Sequence, residues 1–141
     1  MKRNIRNAFV IIISVLTLST AVFAQPAEHI YGQKTLELGL KAFPIYLKSD
    51  YQGIVECTIY NIVVLRRYFP NADYNSLVEE LNKVAQENTS PSIRYKAHLA
   101  SMYLTLGGNI KVTVAKTAYD HEKVFRQIAD QLEKQLLVSN E

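Results

Sequence analysis

The chain has no tryptophan, and among its 141 residues there is one cysteine, Cys57, with four prolines and five glycines. A single cysteine excludes a disulfide within the chain, so packing has to supply the stability. So few glycines and prolines exclude a collagen-like or low-complexity chain. Excess charge is missing too. The formal net charge of +3 comes from Lys2, Arg3 and Arg6, because the rest of the chain carries 13 basic residues against 13 acidic ones. The pI near 8.9 therefore belongs to the first few residues. A nucleic-acid binder needs a basic stripe to neutralise phosphates, and this balance argues against that class. Motifs that name a chemistry are also lacking. There is no Gly-x-Ser-x-Gly, and Gly107-Gly108-Asn109 lacks the Lys-Ser/Thr of a phosphate loop. His29, His98 and His121 do not stand at metal-ligand spacing, so no metal and no cofactor are expected.

What is present begins with an export signal. Met1–Asn7 is basic without an acid, Ala8–Ala24 is an uncharged run of 17 residues, and Val22-Phe23-Ala24 places small residues at −3 and −1 before Gln25. That order predicts a cleaved secretory signal peptide over 1–24. An uncleaved N-terminal anchor is the alternative, but a membrane span needs roughly 20 apolar residues. The mature protein is then expected in the periplasm or outside the cell, without a stable membrane span. Residues 25–32 read as a flexible lead-in, 33–138 as one helical domain and 139–141 as a frayed tail.

The domain reads as all-α, with about five helices. Leu36, Leu40, Phe43 and Leu47 recur at spacings of four, three and four, and Pro44 is expected to kink or end that first helix. Asp50 is the expected cap of the next helix. Gly53–Phe69 is apolar around most of its girth, with Ile54, Thr58, Ile62, Leu65 and Phe69 in one stripe and Val55, Ile59 and Val63 in another. A helix so apolar belongs inside. Tyr74–Glu87 is amphipathic through Leu77, Val78, Leu81, Val84 and Ala85. Thr89 or Ser90 caps the following helix, Pro91 stands in its first turn, and Ile93, Ala97, Ala100 and Leu104 face inward until Gly107-Gly108 closes it. Residues 109–117 alternate like a strand with nowhere to pair, and read as an extended linker. The last helix, Ala118 to about Leu137, turns His121, Phe125, Ile128, Leu132 and Leu136 inward.

The chain also echoes itself. An offset of 39 residues takes Ile54 to Ile93, Thr58 to Ala97 and Leu65 to Leu104, and in the preceding helices Leu38 to Leu77, Ala42 to Leu81 and Tyr46 to Ala85. With Pro91-Ser92-Ile93-Arg94-Tyr95-Lys96-Ala97, this resembles the second-helix pattern of HEAT and armadillo repeats, whose period is about 40 to 47 residues. In the first copy Val55 replaces the arginine and Thr58 the alanine. The resemblance covers Gln33–Leu106 and implies stacked antiparallel helix pairs with a binding role. A small antiparallel bundle is the alternative.

Single residues offer little chemistry. Glu56, in the most apolar helix, could act as a protonated general acid, but a structural ion pair is favoured; stacked second helices would bring it level with Arg94 and Lys96. Cys57 reads as a small buried side chain. Nine tyrosines are too many to bury, and tyrosine is enriched where proteins meet partners. Glu56, Arg94, Tyr60 and Tyr95 are the candidate binding residues; no catalytic residue is assigned. The expected function is an exported, non-enzymatic protein-protein interaction or scaffold module that meets another protein or an envelope component. The alternatives are a small secreted hydrolase or inhibitor using Glu56 or a histidine, and a carrier of an apolar ligand.

Overall fold

A computed structural model describes residues 32–106, 110–113 and 121–138, apart from the side chains of Leu136 and Val138. The expected signal peptide, most of the lead-in, the Gly107-Gly108 cap, the start of the last helix before His121 and the frayed tail lie outside the described residues. The fold is all-α. The five helices among the described residues are α1 (Gln33–Tyr46), α2 (Gln52–Tyr68), α3 (Asn75–Glu87), α4 (Pro91–Leu106) and α5 (His121–Val138). Turns of five, six and three residues join the first four, too short for anything but antiparallel neighbours. The most extensive packing is between α3 and α4. Helix α4 also packs on α2 and α5, and α1 packs on α2 and α3.

Helices α2 and α4 form the interior. Val55, Ile59, Ile62 and Val63 of α2 are wholly buried, as are Ala97 and Ala100 of α4. The alanines let α4 approach its neighbours closely, while α2 fills space with β-branched residues. Two polar groups inside this layer are satisfied locally: Thr58 Oγ1 donates to the Ile54 carbonyl at 2.7 Å, and Ser101 Oγ meets Asn82 Oδ1 at 2.7 Å across the α3–α4 seam. Such pairing removes the penalty of burying a hydroxyl. Leu77 and Leu81 of α3, and Val124, Phe125 and Ile128 of α5, complete the core.

Several local expectations change. Helix α1 passes through Pro44 and ends at Tyr46. Proline that close to the C-terminus removes one N–H from the ladder, and the Leu47 N–H still reaches the Phe43 carbonyl at 2.9 Å. Asp50 does not cap α2. The cap position is Tyr51, which has no side-chain bond to the helix; its own N–H is taken by Ser49 Oγ. Ser90 does cap α4 through the Ile93 N–H, and Pro91 is the helix's first residue. Asp73 accepts from the Asn75 N–H at the start of α3. Ile54 is 43% exposed, so the first inner stripe of α2 begins at Thr58.

The strand-like segment finds partners of an unexpected kind. Ile110 and Val112 are buried, and the backbone between them pairs with side chains of α5. Gln131 accepts from the Lys111 N–H at 2.8 Å and donates to its carbonyl at 2.6 Å, while Gln127 accepts from the Thr113 N–H at 2.9 Å. One helical turn separates the two glutamines, so their amides stand where a neighbouring strand would present peptide groups.

Candidate functional site

The chemistry-bearing residues of the inner helices converge on one ammonium. Lys96 lies on the inward face of α4, three residues after Ile93 and four before Ala100, and its side chain is 4% exposed. Its Nζ donates to Glu56 Oε1 of α2 and to Glu122 Oε1 in the first turn of α5. It also stands 5.8 Å from the centre of the Phe125 ring, within reach of a cation–π attraction. Burial is the largest single influence on this amine and lowers its pKa, but the hydrogen bonds and charges of Glu122 and Glu56 together outweigh it and raise the pKa. The amine is thus held as a cation. A nucleophilic lysine needs the opposite, a neutral amine, so Lys96 here ties three helices together.

Beside this cluster Tyr60 of α2 is buried and stacks on His121 of α5, ring centres 3.7 Å apart and planes 20° from parallel. The candidate residues therefore separate. Glu56 is paired as an ion, with its side chain 40% exposed, where a protonated general acid calls for a carboxyl enclosed by apolar groups. Tyr60 serves the α2–α5 junction. Arg94 turns from Glu56 and donates to the Asn88 carbonyl at 2.9 Å, bracing the α3–α4 turn. Tyr95 is exposed and lines an open groove of about 390 Å³ with Lys96, Glu122, Phe125 and Arg126. Cys57 is exposed, not buried: it stands one residue to the side of Thr58, and Asn61 Nδ2 approaches its sulfur at 3.5 Å.

Sequence reasoning placed Glu56 near Lys96 but missed that the lysine is the buried member. The signal was available: Ile93, Lys96, Ala100 and Tyr103 recur at helical spacing, so Lys96 interrupts an apolar stripe.

A second assembly lies on the surface. On α1 the residues at the core-facing angle are Leu36, Gly39, Phe43 and, just past the helix, Leu47. Directly opposite, Lys34, Leu38, Lys41 and Ile45 follow one another at spacings of four, three and four, and all four are exposed. Leu38 is 58% and Ile45 69% exposed, unusual for aliphatic residues of that size sharing a single helical line. Lys34 and Lys41 form no ion pair among the described residues, whereas Lys48, just beyond the helix, reaches Glu80 of α3 at 3.2 Å. Tyr46 and Tyr51 leave more aromatic surface at the same end of α1. Among the described residues no three or more His, Cys, Asp or Glu side chains stand close enough to hold a metal ion, and no helix is long and apolar enough to cross a membrane.

No known protein family, no curated protein and no solved structure matches the chain.

Proposed function

We propose that this is an exported, non-enzymatic interaction module, and that it meets its protein partner through the outward face of α1. The observation that carries the reading is the line Lys34, Leu38, Lys41, Ile45. Two aliphatic side chains alternate with two lysines that form no ion pair among the described residues, on the face opposite the core. Burying the two aliphatics against a partner is worth about 1.5–3 kcal/mol each. The lysines select for a partner whose own apolar ridge is flanked by acids. The fit is to an amphipathic acidic helix laid along α1. The basic, then uncharged, N-terminal run supports export.

The test is site-specific photo-crosslinking from position 41 in cells, comparing the native chain with Leu38→Glu/Ile45→Glu. The expected result is one protein adduct in the envelope fraction, lost in the double variant while far-UV circular dichroism stays unchanged. Crosslinks to lipid alone, or an adduct indifferent to the substitutions, would overturn the reading. A hydrolase working through Glu56 would replace it if Glu56→Gln abolished an activity while the α1 variant kept it.

A further inference from the structure

A second surface has a different chemistry. Helix α2 ends in Arg66-Arg67, and the extended segment 110–113 passes beside that end, leaving an open groove of about 430 Å³. Its lining comprises Arg66, Arg67 and Lys111 over Tyr103, Ile110 and Val112, with no carboxylate among the described residues. The adjoining hollow that shares Arg66 holds Asp73, whose carboxylate already accepts from the Asn75 N–H. None of the three cations forms an ion pair among the described residues.

Arg66 and Lys111 are held in place by groups other than acids. Arg66 donates to the Pro70 carbonyl and lies 5.4 Å from the centre of the Tyr74 ring. Its Nε is buried without a hydrogen-bond partner, so the guanidinium is partly stripped of water and uncompensated. Both arginines act on the same floor: burial pushes the Tyr103 hydroxyl up, and the charges of Arg66 and Arg67 pull against that rise. Lys111 is fixed by the two bonds its backbone makes with Gln131. The dipole at the C-terminal end of α2 contributes about half a negative charge, which cannot balance three full positive ones.

We propose that this groove binds a phosphate-type oxyanion, taken between the Arg67 guanidinium and the Lys111 ammonium with Arg66 supplying charge from behind. A guanidinium fork and an ammonium from two separate elements match a dianion with oxygens on several sides. The phosphate could be free or carried on a lipid headgroup, and the shared chemistry is the dianionic oxygen cluster.

The test is a titration of the ¹⁵N-labelled chain with inorganic phosphate at constant ionic strength, followed amide by amide. Saturable shifts are expected at Arg66, Arg67, Tyr103 and residues 110–113, weakening as salt is raised. Arg67→Ala and Lys111→Ala should each weaken binding roughly tenfold, the scale of one charge-assisted contact. Both positions are exposed, so the fold is not at stake, and Lys83→Ala, an exposed lysine of α3 outside the groove lining, serves as the control. Sedimentation with phosphatidate vesicles separates the sources: co-sedimentation lost in Lys111→Ala assigns a headgroup, and its absence alongside phosphate shifts assigns a soluble phosphate. No saturable shift, or shifts unchanged in both variants, would overturn the proposal.

Discussion

At the scale of the residue, the interior hinges on an asymmetry of exposure. Lys96 is the buried member of its cluster, whereas Glu56 and Glu122 keep 40% and 71% of their side chains in water. Removing the acids strands an ammonium; removing the ammonium leaves carboxylates that water can reach. Glu56→Gln/Glu122→Gln is therefore expected to destabilise by up to about 3 kcal/mol, toward the lower end for broken buried pairs because water partly screens the acids. Lys96→Met should cost less than about 1 kcal/mol or even stabilise. Urea melts of the three chains check this, and a larger loss in Lys96→Met would refute the ordering. Tyrosine governs the alkaline limit. The Tyr74 hydroxyl donates to the Phe69 carbonyl at 3.0 Å, and burial pushes its pKa up to about 12 against the favourable pull of Arg66. The unfolded chain ionises this phenol near its ordinary value of 10.0, so stability is expected to fall from there toward pH 12. The raised pKa of Lys96 acts in the same direction: its contribution is complete below the unfolded value and is lost as pH rises through the folded one. Tyr74→Phe removes the phenol's share, so its stability should decline less steeply over that range in melts run from pH 9 upward. An unchanged slope would refute the assignment.

At the scale of the element, the seam between α1 and α2 depends on Gly39. A Cβ there would stand 3.1 Å from Leu65 Cδ2 and 3.1 Å from Phe43 Cε2. Alanine gains about 0.5–1 kcal/mol of helix propensity over glycine, and half-buried Phe43 has room to yield although buried Leu65 does not. Gly39→Ala is expected to be near neutral and Gly39→Val to lose about 1–3 kcal/mol through overpacking, both read from chemical denaturation. The helices were legible because each carries its period in the open: Leu77, Leu81 and Val84 in α3, and Phe125, Ile128 and Leu132 in α5, are inward as their spacing requires. Local capping was less legible, since Asp50 and Ser49 offer equally good side-chain acceptors for a cap and only tertiary position decides which backbone N–H comes within reach. The partnering of residues 110–113 was not legible at all. Alternation in Ile110 and Val112 announces an extended chain, but nothing in one sequence says that Gln127 and Gln131 will arrive as a substitute strand. The Lys96 cluster falls between: Glu56 in an apolar helix was conspicuous, whereas a lysine is expected at the surface and its burial depends on two other helices supplying acids.

At the scale of the whole molecule, the echo between the two helix pairs holds in burial for two of its three inner pairs, fails where exposed Ile54 answers buried Ile93, and is displaced in the outer helices. Thr58 and Ala97, and Leu65 and Leu104, are buried at equivalent places 39 residues apart. The same offset sets exposed Leu38 on fully buried Leu77, whereas an offset of 41 brings Leu36 onto Leu77 and Leu40 onto Leu81. The turn between α1 and α2 is two residues longer than that between α3 and α4, which accounts for the difference. That shorter turn has a kinetic consequence. Residues 88–90 are braced three times over: Asn88 Oδ1 takes the Ser90 N–H, Ser90 Oγ takes the Ile93 N–H, and Arg94 reaches the Asn88 carbonyl. Closing so short a loop costs little chain entropy, and it joins the two helices with the most extensive mutual packing. The α3–α4 hairpin should consequently be the folding nucleus, with α5 condensing onto it after the barrier. In stopped-flow refolding, Leu81→Ala should give a φ-value of about 0.5–0.8 and Ile128→Ala one of about 0–0.3. The reverse order would place nucleation at the far end of the chain. With the predicted order, a chain emerging in sequence from the ribosome would complete its nucleus at Leu106, before its last helix has appeared.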